Sequence, residues 1–91
     1  MLGDDRRRQI IARVAPLVAA ADPEVHLLEV LLDSTRQQLA FVMQKGEWPI
    51  VVGMNWLDYV SHRDEELQQR IKEGIDQRVE QARQRQAREE G

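Results

Sequence analysis

Apolar residues recur at steps of three and four along much of this chain, which is the spacing of one face of a helix. The first such set is Ile10, Val14, Leu17 and Ala21. It predicts a helix over residues 4–21. Pro16 lies inside this segment, so we expect a kink or a short break near 13–15, because the proline ring removes a backbone donor and crowds the carbonyl four residues earlier.

A second apolar set predicts a central helix over 23–45. Its members are Leu28, Leu31, Leu32, Thr35, Leu39 and Val42. The preceding Asp22-Pro23-Glu24 has the composition of a helix start, since aspartate caps and proline is pre-set for the first helical position. The alternative is an α+β fold with a central hairpin near 25–43, turning at Asp33-Ser34. The leucine pairs 27/28 and 31/32 repeat at four residues rather than two, which favours the helix.

The last third of the chain predicts a long helix over 56–89, or two collinear helices with a second start near Asp64. Gly74 leaves open whether this helix is broken. The preceding segment 47–55 has no regular spacing, and the pattern does not choose between strand, loop and a turn of helix. The apolar positions advance by slightly more than 3.6 residues, so a left-handed coiled coil is not favoured.

These elements predict an all-α fold, a small bundle of three main helices with a long C-terminal helix. We treat 1–91 as a single helical domain, and we expect the polar stretch 83–91 to form a tail that frays. A helix of roughly 35 residues is about 50 Å long, whereas a compact chain of this size has a radius of gyration of about 12 Å. The last helix therefore cannot pack entirely on its own domain, and we expect oligomerisation to complete the bundle.

The amino-acid composition excludes several classes of function. The 91 residues are 42% hydrophobic, 4% aromatic and 32% charged, with a formal net charge of −3. This balance argues against a strongly basic nucleic-acid domain. The lack of cysteine excludes disulfides, thiolate metal sites and cysteine nucleophiles. The longest apolar runs are too short to span a bilayer and no export signal is evident, so a cytoplasmic protein without membrane contact is expected.

Catalytic and metal-binding patterns are weak. His26 with Glu29 and Asp33, and His62 with Glu65 and Glu66, share helical spacing, but such groups are common on solvated faces. Ser61 stands beside His62, and neighbours on a helix point about 100° apart, so they do not form a catalytic pair. No phosphate-binding glycine loop occurs. We expect no enzymatic activity, no metal and no cofactor.

Partner binding is the preferred hypothesis, because tryptophan and tyrosine anchor many interfaces. The candidate interface residues are Leu27, Leu31, Phe41, Trp48, Trp56, Tyr59, Leu67 and Ile71. The sequence thus predicts a non-enzymatic adaptor or regulatory subunit that forms a homodimer or binds another protein. For the tryptophans, closure of the protein's own core is an equally good interpretation.

The alternative hypothesis is a small dimeric regulator that associates with nucleic acid. Its candidate phosphate contacts are Arg6, Arg7, Arg8 and Arg85. Three arginines in a first helical turn oppose the helix dipole, which favours an anionic contact. The middle of the chain is acidic, however, and would repel a phosphate backbone.

Overall fold

The structure, a computed structural model, describes the backbone of residues 2–90 and the side chains of residues 5–88. Its elements are α1 (Leu2–Ala21), β1 (Val25–Asp33), β2 (Gln38–Lys45), β3 (Trp48–Asn55), α2 (Trp56–Ser61) and α3 (Asp64–Glu90). The fold is α+β, so the predicted all-α helical bundle is wrong. The alternative with a central hairpin near 25–43 agrees with the structure.

The three strands form an antiparallel sheet in the order β1-β2-β3. Strand β1 contains a bulge, where the register with β2 shifts between Leu27 and Glu29. The inward-facing residues of β1 are Val25, Leu27, Val30 and Leu32, which are the partners of inward residues on β2. Their steps of two, three and two break the alternation that identifies a strand. Because leucines also occupy positions 28 and 31, the result imitates the spacing of a helix.

The link between α1 and β1 explains why Asp22-Pro23-Glu24 does not start a helix. The Asp22 N–H still donates to the Val18 carbonyl at 2.9 Å, so this residue closes the last turn of α1. Its carboxylate accepts the Glu24 N–H at 3.0 Å, and its carbonyl accepts the Val25 N–H at 3.1 Å. The capping ability of aspartate is used here in a turn that leads into a strand.

The helices depart from the sequence predictions mainly at their boundaries. The first helix is confirmed, but α1 is continuous through Pro16, so the short break considered near 13–15 does not occur. The undecided segment 47–55 is strand β3 together with the turn before it. Two helices occupy the segment predicted over 56–89, and α3 is continuous through Gly74 to Glu90.

Both long helices lie on one face of the sheet. Their buried residues and the inward residues of the strands form a single cluster, with Val14, Phe41, Met43 and Ile71 fully buried. Helix α3 comes very close to β3 at Gly74, where a Cβ atom would lie 2.8 Å from a methyl group of Val52. A glycine is therefore required by space and not by backbone conformation.

The C-terminal part of α3 extends beyond this core. Its last buried residue is Val79, and its 27 residues make a helix about 40 Å long. The chain consequently has a longest dimension of 48 Å and a radius of gyration of 13.9 Å. Within the described part of the chain, no helix combines the length and the apolar content needed to cross a membrane.

Candidate functional site

The sheet face opposite the helices is apolar at its centre. We define the open face by the outward residues of the three strands. Cross-strand rows place Glu29, Val42 and Val51 side by side, and Leu31, Ala40 and Gly53 beside them. Leu31 is 49% exposed and Val51 is 47% exposed, while Leu28 at the bulge is 58% exposed. An antiparallel sheet with one solvated face normally presents polar side chains there, so this face is unusual.

The open face also lacks charge across two of its three strands. Its positions on β2 and β3 are Gln38, Ala40, Val42, Gln44, Pro49, Val51, Gly53 and Asn55. Charged residues make up 32% of the chain, so two or three would be expected among eight surface positions. Depletion of charge at the centre of a patch distinguishes protein interfaces from ordinary surface.

The two margins of the open face have opposite charge. Strand β1 contributes Glu29 and Asp33. At the other margin, Arg78 of α3 donates from Nε to the Val51 carbonyl at 3.1 Å. No carboxylate among the described side chains pairs with Arg78, whose other hydrogen bond goes to Gln81. The outer edge of β3 is thus occupied by a cation. The carboxylates of the β1 margin lie beside arginines of the same chain, with Arg7 at 3.7 Å from Glu29 and Arg36 at 3.9 Å from Asp33.

A cleft of about 420 Å³ lies at the end of the sheet where the chain turns from β1 into β2. We call it the end cleft. Helix α1 contributes Arg6 and Arg7, and α2 contributes Trp56. The end of β1, the start of β2 and the turn between them contribute the remaining lining residues, Leu32, Asp33, Ser34, Gln37 and Gln38. Gln37 has a positive φ of 53°, and its carbonyl accepts the Trp56 N–H at 2.8 Å, which joins this turn to α2.

Aromatic rings and arginines support the wall of the end cleft. The Arg6 guanidinium lies 5.4 Å from the centre of the Trp56 ring, and Trp56 packs on Tyr59 with ring centres 5.5 Å apart. Arg13 lies over the other side of this group, 4.8 Å from the Tyr59 ring. Cation–π contacts of this kind hold guanidinium groups in place against aromatic faces.

Arg13 also fastens α1 to the junction between α2 and α3. Its guanidinium donates to the Asp64 carboxylate at 2.8 Å and to the carbonyls of Tyr59 and His62 at 3.1 and 2.7 Å. The hydrogen bond with Asp64 raises the pKa of Arg13, and it outweighs the opposing effect of burial. The His62 ring is held by a short contact between Nδ1 and the Asp58 carbonyl. These hydrogen bonds hold α2, and with it Trp56, in a fixed position relative to α1.

The opposite end of the sheet is closed by an ion pair. Lys45 Nζ lies 2.7 Å from Asp22 Oδ2, and both side chains are more than two-thirds buried. The hydrogen bond from Lys45 lowers the pKa of Asp22, and the same bond raises the pKa of Lys45. Each charge stabilises the other, so the ion pair has a structural role and joins the end of α1 to the end of β2.

The structure separates the predicted interface residues into two groups. Phe41, Tyr59, Leu67 and Ile71 are buried in the core, and Leu27, Trp48 and Trp56 are half-buried against it. Of the eight, Leu31 alone is on the open face. The aromatic residues thus close the protein's own core, with one surface of Trp56 left to line the end cleft.

The predicted phosphate contacts are not brought together. Arg6 and Arg7 line the end cleft, and Arg7 lies 3.7 Å from the Glu29 carboxylate. Arg85 lies on the projecting part of α3, two residues after Arg83. Arg83 is close to Lys45, at the far end of β2, since its charge acts to lower the pKa of Lys45. The two arginine groups therefore occupy opposite ends of the sheet.

The histidine sets do not form metal sites. His26, Glu29 and Asp33 lie on a strand and not on a helix. Among the described residues, no group of three or more His, Asp or Glu side chains is placed to hold a metal ion.

Sequence reasoning missed Leu28, Val42 and Val51 as surface residues. The uncharged runs 37–44 and 48–57 were the available signal, since they are long in a chain of this charge content. Comparison of the chain with protein-family models, with curated proteins and with solved structures found no match.

Proposed function

We propose that this protein is a non-enzymatic protein-interaction module that forms a homodimer through the open face of its sheet. The observation that carries the proposal is the run of eight uncharged outward positions on β2 and β3 around an apolar centre. Burying this face requires no desolvation of charge on those two strands, and it removes apolar surface from water.

A second copy fits this face better than a partner of arbitrary charge. When two sheets pack face to face about a twofold axis parallel to the strands, β1 of each copy lies over β3 of the other. Glu29, which is half-exposed and lies 3.7 Å from Arg7 of its own chain, then lies opposite Arg78 of the other copy. This complementarity favours self-association in one orientation.

The area of the face is consistent with a dimer of modest strength. Three strands about 4.8 Å apart and about 27 Å long present roughly 400 Å² per copy, which is near half of a standard interface. The small size of the chain adds a further driving force, because short chains bury a low fraction of their surface alone. We therefore expect the dimer to dissociate when the protein is diluted to low micromolar concentration or lower.

Sedimentation velocity over a range of concentrations tests the proposal. Leu31→Lys and Val51→Lys should each raise the dimer dissociation constant at least tenfold, because each places a charge in the centre of the interface. Leu57→Lys is the matched control, since Leu57 is 66% exposed on α2 and outside the open face. A wild-type protein that stays monomeric at 100 µM, or equal effects of all three variants, would refute the proposal.

Charge exchange tests the orientation of the two copies. Glu29→Arg and Arg78→Glu should each weaken the dimer, and the double variant should recover most of the loss. If the double variant is weaker than either single variant, the margins do not meet, and the twofold arrangement proposed here is incorrect.

The nucleic-acid alternative receives less support from this geometry. Its arginines lie at opposite ends of the sheet, and the first turn of α3 carries Asp64, Glu65 and Glu66, which would repel a phosphate backbone. Binding of a duplex that weakens steeply with salt and on Arg6→Ala would favour that alternative over the present proposal.

A further inference from the structure

We propose that the end cleft binds a small organic monoanion with a flat or apolar body, whose anionic group pairs with Arg6 while its body packs on Trp56 and Leu32. The cleft lies outside the helical core and does not require a second copy of the chain. Its volume of about 420 Å³ falls in the range of small-molecule pockets, which are mostly apolar with a few convergent polar groups.

The charges around the cleft leave one cation available. Arg7 lies beside Glu29, and Asp33 accepts the Arg36 N–H at 3.1 Å and lies 3.9 Å from the Arg36 guanidinium. Within each pair the positive and the negative charge cancel. Arg6 has no carboxylate partner among the described side chains, and its contact is with the Trp56 ring. A ligand with one negative charge would complete the balance.

The cation–π contact of Arg6 with Trp56 suits it for this role. The N–H groups of a guanidinium lie in its own plane, where they can form a paired hydrogen bond with a carboxylate or a phosphate. The contact with the ring also reduces the side-chain entropy that binding would otherwise cost. Ser34, Gln37 and Gln38 add neutral polar groups at the rim, which can orient the ligand without adding charge.

The apolar part of the ligand is indicated by the remaining lining. Leu32 faces the core side of the sheet, yet it is 36% exposed where it lines the end cleft. Trp56 is half-buried and held in place by Tyr59. A ring or short aliphatic group of the ligand would cover both side chains.

The two tryptophans provide a test within one molecule, because Trp56 lines the cleft and Trp48 lies at the other end of the sheet beside Lys45. The indole N–H signals of both are followed by NMR while benzoate is added to the full chain. We expect a saturable shift of the Trp56 signal with no shift of the Trp48 signal. Benzamide, which has the ring without the charge, and acetate, which has the charge without the ring, should bind at least about tenfold more weakly.

Phenyl phosphate tests the charge of the ligand, because a phosphate monoester carries nearly two negative charges at neutral pH. Weaker binding than benzoate would support a monoanionic carboxylate, and tighter binding would contradict the proposed single charge. Arg6→Met should raise the dissociation constant of the better ligand about tenfold or more, whereas Arg8→Met, on an exposed neighbour outside the cleft, should leave it unchanged.

Three further results would overturn the proposal. They are benzamide binding as tightly as benzoate, Arg6→Met binding as tightly as wild type, and no saturable shift of Trp56 with either anion up to 10 mM. Backbone NMR spectra of the Arg6→Met variant verify that it is folded, which is expected because the Arg6 side chain is exposed.

Discussion

The two faces of the sheet belong to the same three strands, but they differ in what covers them. The inner face packs against α1 and α3, and Val30, Phe41 and Val52 form one of its buried rows. The open face carries Val42 and Val51 in the next row, without a helix over them. Apolar residues on the inner face stabilise the monomer, whereas those on the open face are available to bind another molecule. Apolar content alone therefore does not identify the core of this protein.

The largest difference between the faces should appear when adjacent residues of β2 are truncated. Phe41→Ala removes a fully buried ring and should lower the free energy of unfolding by about 3–5 kcal/mol, from lost burial and the cavity that remains. Val42→Ala, one residue further along on the open face, should cost less than about 1 kcal/mol in the monomer. Urea unfolding of both at the same low concentration measures this, and similar losses would mean that the open face is covered.

Removal of Arg13 tests how firmly the helices are held over the inner face. Arg13→Met keeps the aliphatic stem but loses three hydrogen bonds to the α2–α3 junction. We expect the unfolding free energy to fall by about 2 kcal/mol, since two carbonyls lose a charged donor. Arg8→Met, on an exposed position of the same helix, should change it by less than about 0.5 kcal/mol. Thermal and urea unfolding of both variants decide whether the junction depends on Arg13.

Gly74 of α3 packs on the inner side of β3, whereas Gly53 is a residue of β3 on the open face, so the two glycines test the two faces. In Gly74→Ala the new methyl group would meet Val52 at 2.8 Å, and the cost of overpacking should exceed the gain in helix propensity by about 1–2 kcal/mol. In Gly53→Ala the new atom meets only the Leu39 carbonyl at 3.8 Å, so no loss is expected. Addition of Val52→Ala to Gly74→Ala should make the two changes non-additive in a double-mutant cycle.

The ion pair of Asp22 and Lys45, at one end of the sheet, should make the free energy of unfolding depend on pH. The folded-state pKa of Asp22 lies below its ordinary value of 3.8, so the unfolded chain binds the proton more readily. The pair therefore stabilises the protein above that pH, and its contribution is lost as the pH falls through the folded-state pKa. Asp22→Asn should cost about 1 kcal/mol at pH 7, and this cost should decrease as the pH is lowered below 3.8. A cost that does not change with pH would contradict the role of the charge.

The smallest effect on the monomer is expected at the centre of the open face. Val51→Thr keeps the shape and β-branching of the side chain, which is 47% exposed, so the unfolding free energy should change by less than about 0.5 kcal/mol. Unfolding below the dimer dissociation constant measures this term. A loss above 1 kcal/mol under those conditions would place Val51 in the monomer core and remove the contrast between the faces.

The error in the fold prediction has the same origin as the open face. A half-buried strand is recognised by alternating apolar and polar residues, and β1 lacks this alternation for two reasons. The bulge inserts one residue at Leu28, and Leu31 is apolar although it faces outward. Both features make the leucine pairs resemble a helical stripe. The secondary structure of segment 47–55 was undecided for a related reason. Val51 and Gly53, on the outward side of β3, are not polar, so this strand also lacks the alternation.

The candidate site was predictable only in part. Trp56 and Arg6 were singled out by residue type, and the structure places them in contact. Sequence spacing could not bring them together, because Arg6 and Trp56 lie on helices that the three strands separate in the sequence. The aromatic residues expected at an interface are largely in the core, since a chain with 4% aromatic residues uses them to fill its few large core positions.

The sequence by itself determined the first helix, the polar length of the last one and the excess of apolar residues in the middle of the chain, because these follow from local spacing and composition. The tertiary structure decided that the middle is a sheet, since strand pairing and a single bulge choose between two readings of the same leucines. It also decided which apolar residues are core and which are surface. That choice depends on where the two helices lie, and both lie on one face of the sheet.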